Sequence, residues 1–200
     1  MSADFTRASL LSRVKDPSDE AAWRQFEALY RDLLVRFCRR RGLQEADADD
    51  VVQTVMANLV KGLPRFAYDR GRGRFRDYLF RCTDHAIARW AARPKGRELA
   101  LCDIESSADE GIPGPEARQI WEDEWMAHHY RLAMRTIRES FEARSVDIFD
   151  RSVAGETVTR LAAAFDMSEQ AVHKVRQRIK ARMEDLIAAQ IAQEDDAGDR

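Results

Sequence analysis

The chain has 200 residues, of which 44% are hydrophobic and 34% charged, so it is long enough for one ordinary domain or two small ones and too apolar for wholesale disorder. Its net charge of -2 conceals segregation. Residues 65–97 hold ten Lys/Arg and three Asp, residues 103–124 hold eight Asp/Glu and one Arg, and residues 169–183 hold five basic residues and one Glu. Two basic blocks around an acidic one suggest two anion-binding surfaces, although a solvated helix face explains either block taken alone.

In chain order, the first strong signal is a helix start at Ser18, Asp19 and Glu20. Trp23, Phe26, Tyr30, Leu33 and Phe37 follow at steps of three and four, and Arg39, Arg40, Arg41 and Gly42 close the helix. A second helix is predicted from Asp47 to Leu63, with acids in its first turn and Pro64 as its stop. A third begins near Gly73 and persists to about Ala92, with Phe75, Tyr78, Leu79, Cys82 and Ala86 on its apolar stripe. The stretch YDRGRGRFRDYL, 68–79, has single glycines and no GxxxxGK[ST] pattern, so it reads as a tight turn into that helix rather than a phosphate loop.

Ser106, Ser107, Gly111, Pro113, Gly114 and Pro115 mark a linker. A helix with Ile120, Trp121, Trp125 and Met126 comes next. His128 and His129 are adjacent, a spacing that does not aim two ligands at one ion on a helix. Cys38, Cys82 and Cys102 lack metal spacing, and Cys38 and Cys82 sit in apolar patterns that suit buried reduced thiols. No nucleophile–base set, metal cluster or nucleotide loop is evident. The expectation is therefore a non-enzymatic protein without a cofactor, with no signal peptide or membrane insertion, located in the cytoplasm.

The segment TVTRLAAAFDMSEQAVHKVRQRIKARMEDL, 157–186, fits a helix-turn-helix. Ala162 allows close helix approach, and Asp166 occupies the reversal where Gly is usual, since Asp tolerates positive φ better than most side chains. Ser168 is the predicted cap of the second helix. With Val172, Val175 and Ile179 inward, Gln170, His173, Lys174, Arg176, Gln177 and Arg178 become candidates to meet DNA, as Gln and Arg pair with base edges and Lys and Arg hold phosphates. A basic amphipathic helix in an ordinary bundle is the plainer alternative. Val146, Phe149 and Val153 are expected to complete this small domain.

Three motifs in order carry a resemblance. DADDVVQTVM, 47–56, resembles the pattern DAEDLVQETF; GRFRDYLFRCT, 73–83, resembles GRFRGWLFTVT; and MSEQAVHKVRQRIKARM, 167–183, resembles MSVGAVYKAKSRVLRRL. These are patterns of bacterial RNA polymerase sigma factors of the extracytoplasmic-function (ECF) type, in the sigma-70 family.

The resemblance implies an all-α fold of two small helical domains joined by a flexible acidic linker. A region 2-like domain at 1–97 would bind core RNA polymerase and melt the minus-10 element. A linker at 98–124, a region 4-like helix-turn-helix domain at 125–192 for the minus-35 element, and an acidic tail at 193–200 would follow. On this resemblance Asp47, Asp50 and Gln53 face the polymerase. Arg74, Arg76, Arg81, Thr83, His85 and Arg89 meet minus-10 DNA, and Ser168, Gln170, His173, Lys174, Arg176, Gln177 and Arg178 meet minus-35 DNA. The partners implied are core RNA polymerase, promoter DNA and an anti-sigma or other regulatory protein.

Three positions depart from the family pattern. Asp84 and His85 stand where Arg-Asn is frequent, Asp166 replaces the turn Gly, and Glu169 replaces an apolar or small residue. A stand-alone helix-turn-helix regulator, which needs only the second domain, and a divergent sigma-fold interaction protein controlled by a partner are the competing readings.

Overall fold

A computed structural model describes residues 7–65, 75–93 and 114–196. The described residues are all-α: α1 (Arg7–Arg13), α2 (Glu20–Arg40), α3 (Glu45–Gly62), a 3-10 turn at Leu63–Arg65, α4 (Phe75–Ala92), α5 (Pro115–Ser140), α6 (Ala143–Val153), α7 (Val158–Ala164) and α8 (Glu169–Asp196). The chain divides into two compact units, residues 1–126 with 192–200, and residues 127–191.

In the first unit, α2 starts within the stretch the sequence predicts. Asp19 is its N-cap, accepting from the Ala22 N–H at 2.9 Å, and its carboxylate is gripped by Arg13 at 2.9 and 3.0 Å. The Arg13 guanidinium and the Ala22 N–H hold the Asp19 carboxyl below its usual range. Phe26, Tyr30, Leu33 and Phe37 are fully buried, and Trp23 packs half-buried beside them. Gly42, at φ 92°, reverses the chain after α2, a conformation costly for a residue with a Cβ. In α3 the buried residues are Ala48, Val51, Val52, Val55, Asn58 and Leu59, and Pro64 ends the helical run in a 3-10 turn. Helix α4 presents Phe75, Leu79, Phe80, Cys82 and Ile87 to the same core. Burial pushes the Cys38 thiol up to about 12, so it is a neutral apolar group.

Two boundaries differ from the sequence expectation. The predicted linker, 98–124, is helical from Pro115, and Ala117, Trp121 and Trp125 are buried in the first unit's core. The physical reason is aromatic packing. Trp121 lies 5.1 Å from Phe37, 5.6 Å from Phe80 and 5.6 Å from Trp125 between ring centroids, within the range of favourable edge and tilted contacts. Likewise, the predicted tail from 193 is helical to Asp196, and Glu194 accepts from the Tyr30 hydroxyl at 2.9 Å. The linker residues 98–113 lie outside the described residues.

The second unit has two clusters. Ala133, Met134, Ile137, Val146, Phe149, Ile179 and Met183 form one, and Ile148, Leu161, Ala162 and Val172 form the other. Val146 and Phe149 thus join the core as predicted. Val153 does not: it is the last residue of α6 and is 62% exposed, because the helix ends there and the chain turns away through Gly155 at φ 92°.

Candidate nucleic-acid and polymerase interface

The helix-turn-helix is built from three local devices. Thr157 caps α7, its hydroxyl accepting from the Arg160 N–H at 3.4 Å. Asp166 takes φ 47°, the left-handed conformation the sequence predicts for the reversal. Ser168 Oγ then accepts from the Ala171 N–H at 3.2 Å and satisfies one of the open donors of α8. Around the turn, the Arg144 guanidinium donates to the Phe165 carbonyl, and Arg144 and Arg151 lie over the Phe165 ring at 6.0 and 5.1 Å.

This turn leaves the predicted reader residues outward. Ser168, Gln170, His173, Lys174, Gln177 and Arg178 are exposed, Arg176 is half-buried, and Val172 and Ile179 are buried on the opposite face. Arg178 lies with its guanidinium 5.2 Å from the Phe141 ring, a contact that orients an otherwise solvated cation. Glu169, which departs from the family pattern, is read in the sequence as a carboxylate that either repels phosphate or accepts from a cytosine. Its Oε1 accepts from the Thr159 hydroxyl at 2.7 Å, linking the first turn of α8 to α7.

The first unit treats its predicted site residues differently. Asp47, Asp50 and Gln53 follow one another at steps of three on α3, spacing that places them along one face. Asp50 and Gln53 are exposed, while Asp47 pairs with Arg93 at 3.4 Å. Neighbouring Asp49 pairs with Arg31 at 3.0 Å. The exposed acid at Asp50 is thus free of these two pairings.

On α4 the picture is mixed. Arg81, His85 and Arg89 recur every four residues, forming one half-exposed stripe. Thr83 is not on it: it is fully buried and its hydroxyl donates to the Leu79 carbonyl at 2.8 Å, so the predicted contact of Thr83 with DNA is corrected. Arg76 pairs with Glu122 and lies 5.6 Å from the Trp125 ring, so an acid of the predicted linker occupies it. Arg74, with the glycine turn before it, lies outside the described residues.

The Asp84 departure has a partner in the protein. Arg41, at the end of α2, donates to the Asp84 carboxylate and also lies 5.6 Å from the Phe37 ring. The side chains are 25% and 12% exposed, so the acid is shielded rather than presented to a phosphate backbone. More acids act in the same way on α5: Asp123 and Glu124 pair with Arg40 at 3.2 and 3.3 Å, and Arg118 answers with Asp77 at 3.2 Å. The single-sequence signal for these pairs was only the abrupt change from basic to acidic composition.

His128 and His129 are buried, and His129 Nδ1 lies 3.0 Å from Gln190 Oε1. Among the described residues no group of three or more His, Cys, Asp or Glu could hold a metal ion. No helix among them is long and apolar enough to cross a membrane.

Comparison with known proteins follows this division. Residues 28–97, covering most of α2 and all of α3 and α4, match the family model for sigma-70 region 2. No curated protein matches the chain. Among solved structures the chain is similar to CnrH, in a structure of CnrH in complex with the cytosolic domain of CnrY. The identity is 20%, covering 91% of this chain and 97% of that chain, with a TM-score of 0.36. The helices that carry Asp50, Gln53, Arg81, His85 and Arg89 therefore lie in the segment that matches sigma-70 region 2.

Proposed function

We propose that the chain is an ECF-type sigma factor: it binds core RNA polymerase through the exposed face of α3, and it directs the enzyme to promoters through α4 and α8. One observation carries the reading. A single chain joins a sigma-70 region 2 to a separate helix-turn-helix unit whose second helix turns Gln170, His173, Lys174, Gln177 and Arg178 to solvent. A stand-alone regulator would have no use for the first of these domains.

The mechanism follows from charge and geometry. Asp50, exposed in the first turns of α3, offers a carboxylate to a basic surface of the polymerase, with Gln53 as a neutral neighbour. Arg81 and Arg89 supply positive charge along α4 for promoter phosphates, and His85 between them brings a planar ring suited to stacking on an unpaired base. In α8, Gln170 and Lys174 lie nearest the helix start, where base contacts are usually made, and Arg178 further along suits a phosphate. The same reading places the protein in the cytoplasm with the chromosome and admits an anti-sigma or other regulatory protein as a further partner.

The test is reconstitution. The chain is mixed with core RNA polymerase and a library of genomic promoter fragments, and transcripts are mapped. Specific starts that share upstream and downstream elements support the reading. Polymerase binding without specific starts favours a sigma-fold interaction protein, and DNA binding without polymerase binding favours the stand-alone regulator.

A further inference from the structure

Glu169 is the first residue of α8 and is exposed. A carboxylate there is stabilised by the positive end of the helix dipole but repels a DNA backbone, so its presence on a reader helix asks for a compensating role. Two features define what it can do. Its side chain is held across the turn by Thr159, whose hydroxyl donates to Oε1 at 2.7 Å, leaving Oε2 outside that bond. It also shares the exposed leading end of α8 with Gln170 and His173, because His173 is one turn further along.

Resting on the proposed promoter reading, we propose that Glu169 is a specificity-determining residue that selects cytosine in the upstream promoter element. A carboxylate only accepts hydrogen bonds. In the major groove the exocyclic amine of cytosine donates one, whereas the guanine edge offers only acceptors and would leave the charge unpaired. Adenine also carries a donor, but beside an acceptor, a pair that suits an amide better than a carboxylate. Thr159 acts as the positioning residue: its hydroxyl fixes the carboxylate so that little rotamer freedom is lost on reading. The remaining acceptor then meets the cytosine N4 amine, and the repulsion from phosphates lowers affinity for sequences that lack it.

The experiment is an upstream-element selection with the full chain bound to core RNA polymerase. It compares the parent with Glu169→Ala, Glu169→Gln, Thr159→Val and Lys174→Ala. The parent should enrich cytosine at one position. Glu169→Ala should erase that preference, by about 5- to 100-fold, while leaving the other positions unchanged. Glu169→Gln should move the preference toward adenine, and Thr159→Val should weaken it several-fold at the same position alone. An unaltered cytosine preference in Glu169→Ala overturns the proposal, as does a uniform gain in affinity for all sequences, which would make Glu169 only a repulsive charge. If the parent and Lys174→Ala both lack any upstream preference, the reader-helix reading itself fails and this inference falls with it.

Discussion

The two units handle polar residues in opposite ways. In the first, the side chains nearest the candidate DNA surface have protein partners: Arg76 with Glu122, Arg41 with Asp84, and Thr83 with the Leu79 carbonyl. In the second, Gln170, His173, Lys174, Gln177 and Arg178 stand exposed, supported from behind by a capped turn. On the proposed reading, α8 meets duplex DNA with side chains that are already exposed, whereas Arg76 of the first unit has to leave Glu122 to reach a phosphate.

The largest effect should come from the residue that ties α5 into the first unit. Trp121→Ala removes a fully buried side chain and should cost about 3–5 kcal/mol of stability. Denaturant unfolding with site-resolved hydrogen exchange should show α2 and α4 losing protection while α6 and α7 keep theirs. Equal loss in all four helices would mean that the two units do not melt separately.

Polymerase binding is the next test. Asp50→Arg reverses an exposed charge on α3 and should weaken the complex with core polymerase by about 1.5–3 kcal/mol without lowering the melting temperature. Asp47→Ala should do less, since that acid already has Arg93. Equal effects would erase the distinction between the free acid and the paired one. Competition binding with a labelled sigma factor measures both.

Smaller effects sharpen the contrast in DNA contacts. Asp84→Asn frees Arg41 from its carboxylate, and the released cation should steepen the salt dependence of open-complex formation by about one unit of log–log slope. Permanganate reactivity across a salt series gives that slope, and an unchanged slope would leave Arg41 as a purely structural residue. At Asp166, substitution by Gly should raise stability by under about 1 kcal/mol, because φ 47° strains a residue with a Cβ, and promoter preference should stay the same. Thermal unfolding of the two variants checks this, and a drop in stability would show that the Asp side chain itself supports the turn.

Much of this was legible in the sequence wherever the cause is local. The helix start at Ser18–Glu20, the Asp166 reversal and the Ser168 cap each announce themselves within four residues; the structure places the last two as read and the first one residue on, with Asp19 rather than Ser18 as the cap. The exposed face of α8 follows from Val172 and Ile179 facing inward. The remainder depends on pairs far apart in the chain. Nothing near Trp121 reveals that it packs on Phe37, and nothing near Asp84 points to Arg41. A linker and a helix start look alike when Pro, Gly and acids crowd together, so the linker bounds 98–124 run past the start of α5 at Pro115, although the helix bearing Ile120, Trp121 and Trp125 was legible. Thr83 was placed at DNA only by the family resemblance, and on α4 it faces the core.

The central claim is that one chain supplies both polymerase binding and promoter choice, through α3 and α8 respectively. In vitro transcription with core polymerase on the selected promoter, run with the parent, Asp50→Arg and Lys174→Ala, tests it most directly. The account predicts that Asp50→Arg lowers transcription at every promoter and is rescued by excess protein, whereas Lys174→Ala lowers it selectively according to the upstream element. Specific transcription by the parent that neither substitution alters, or loss of both functions by either one alike, would contradict it.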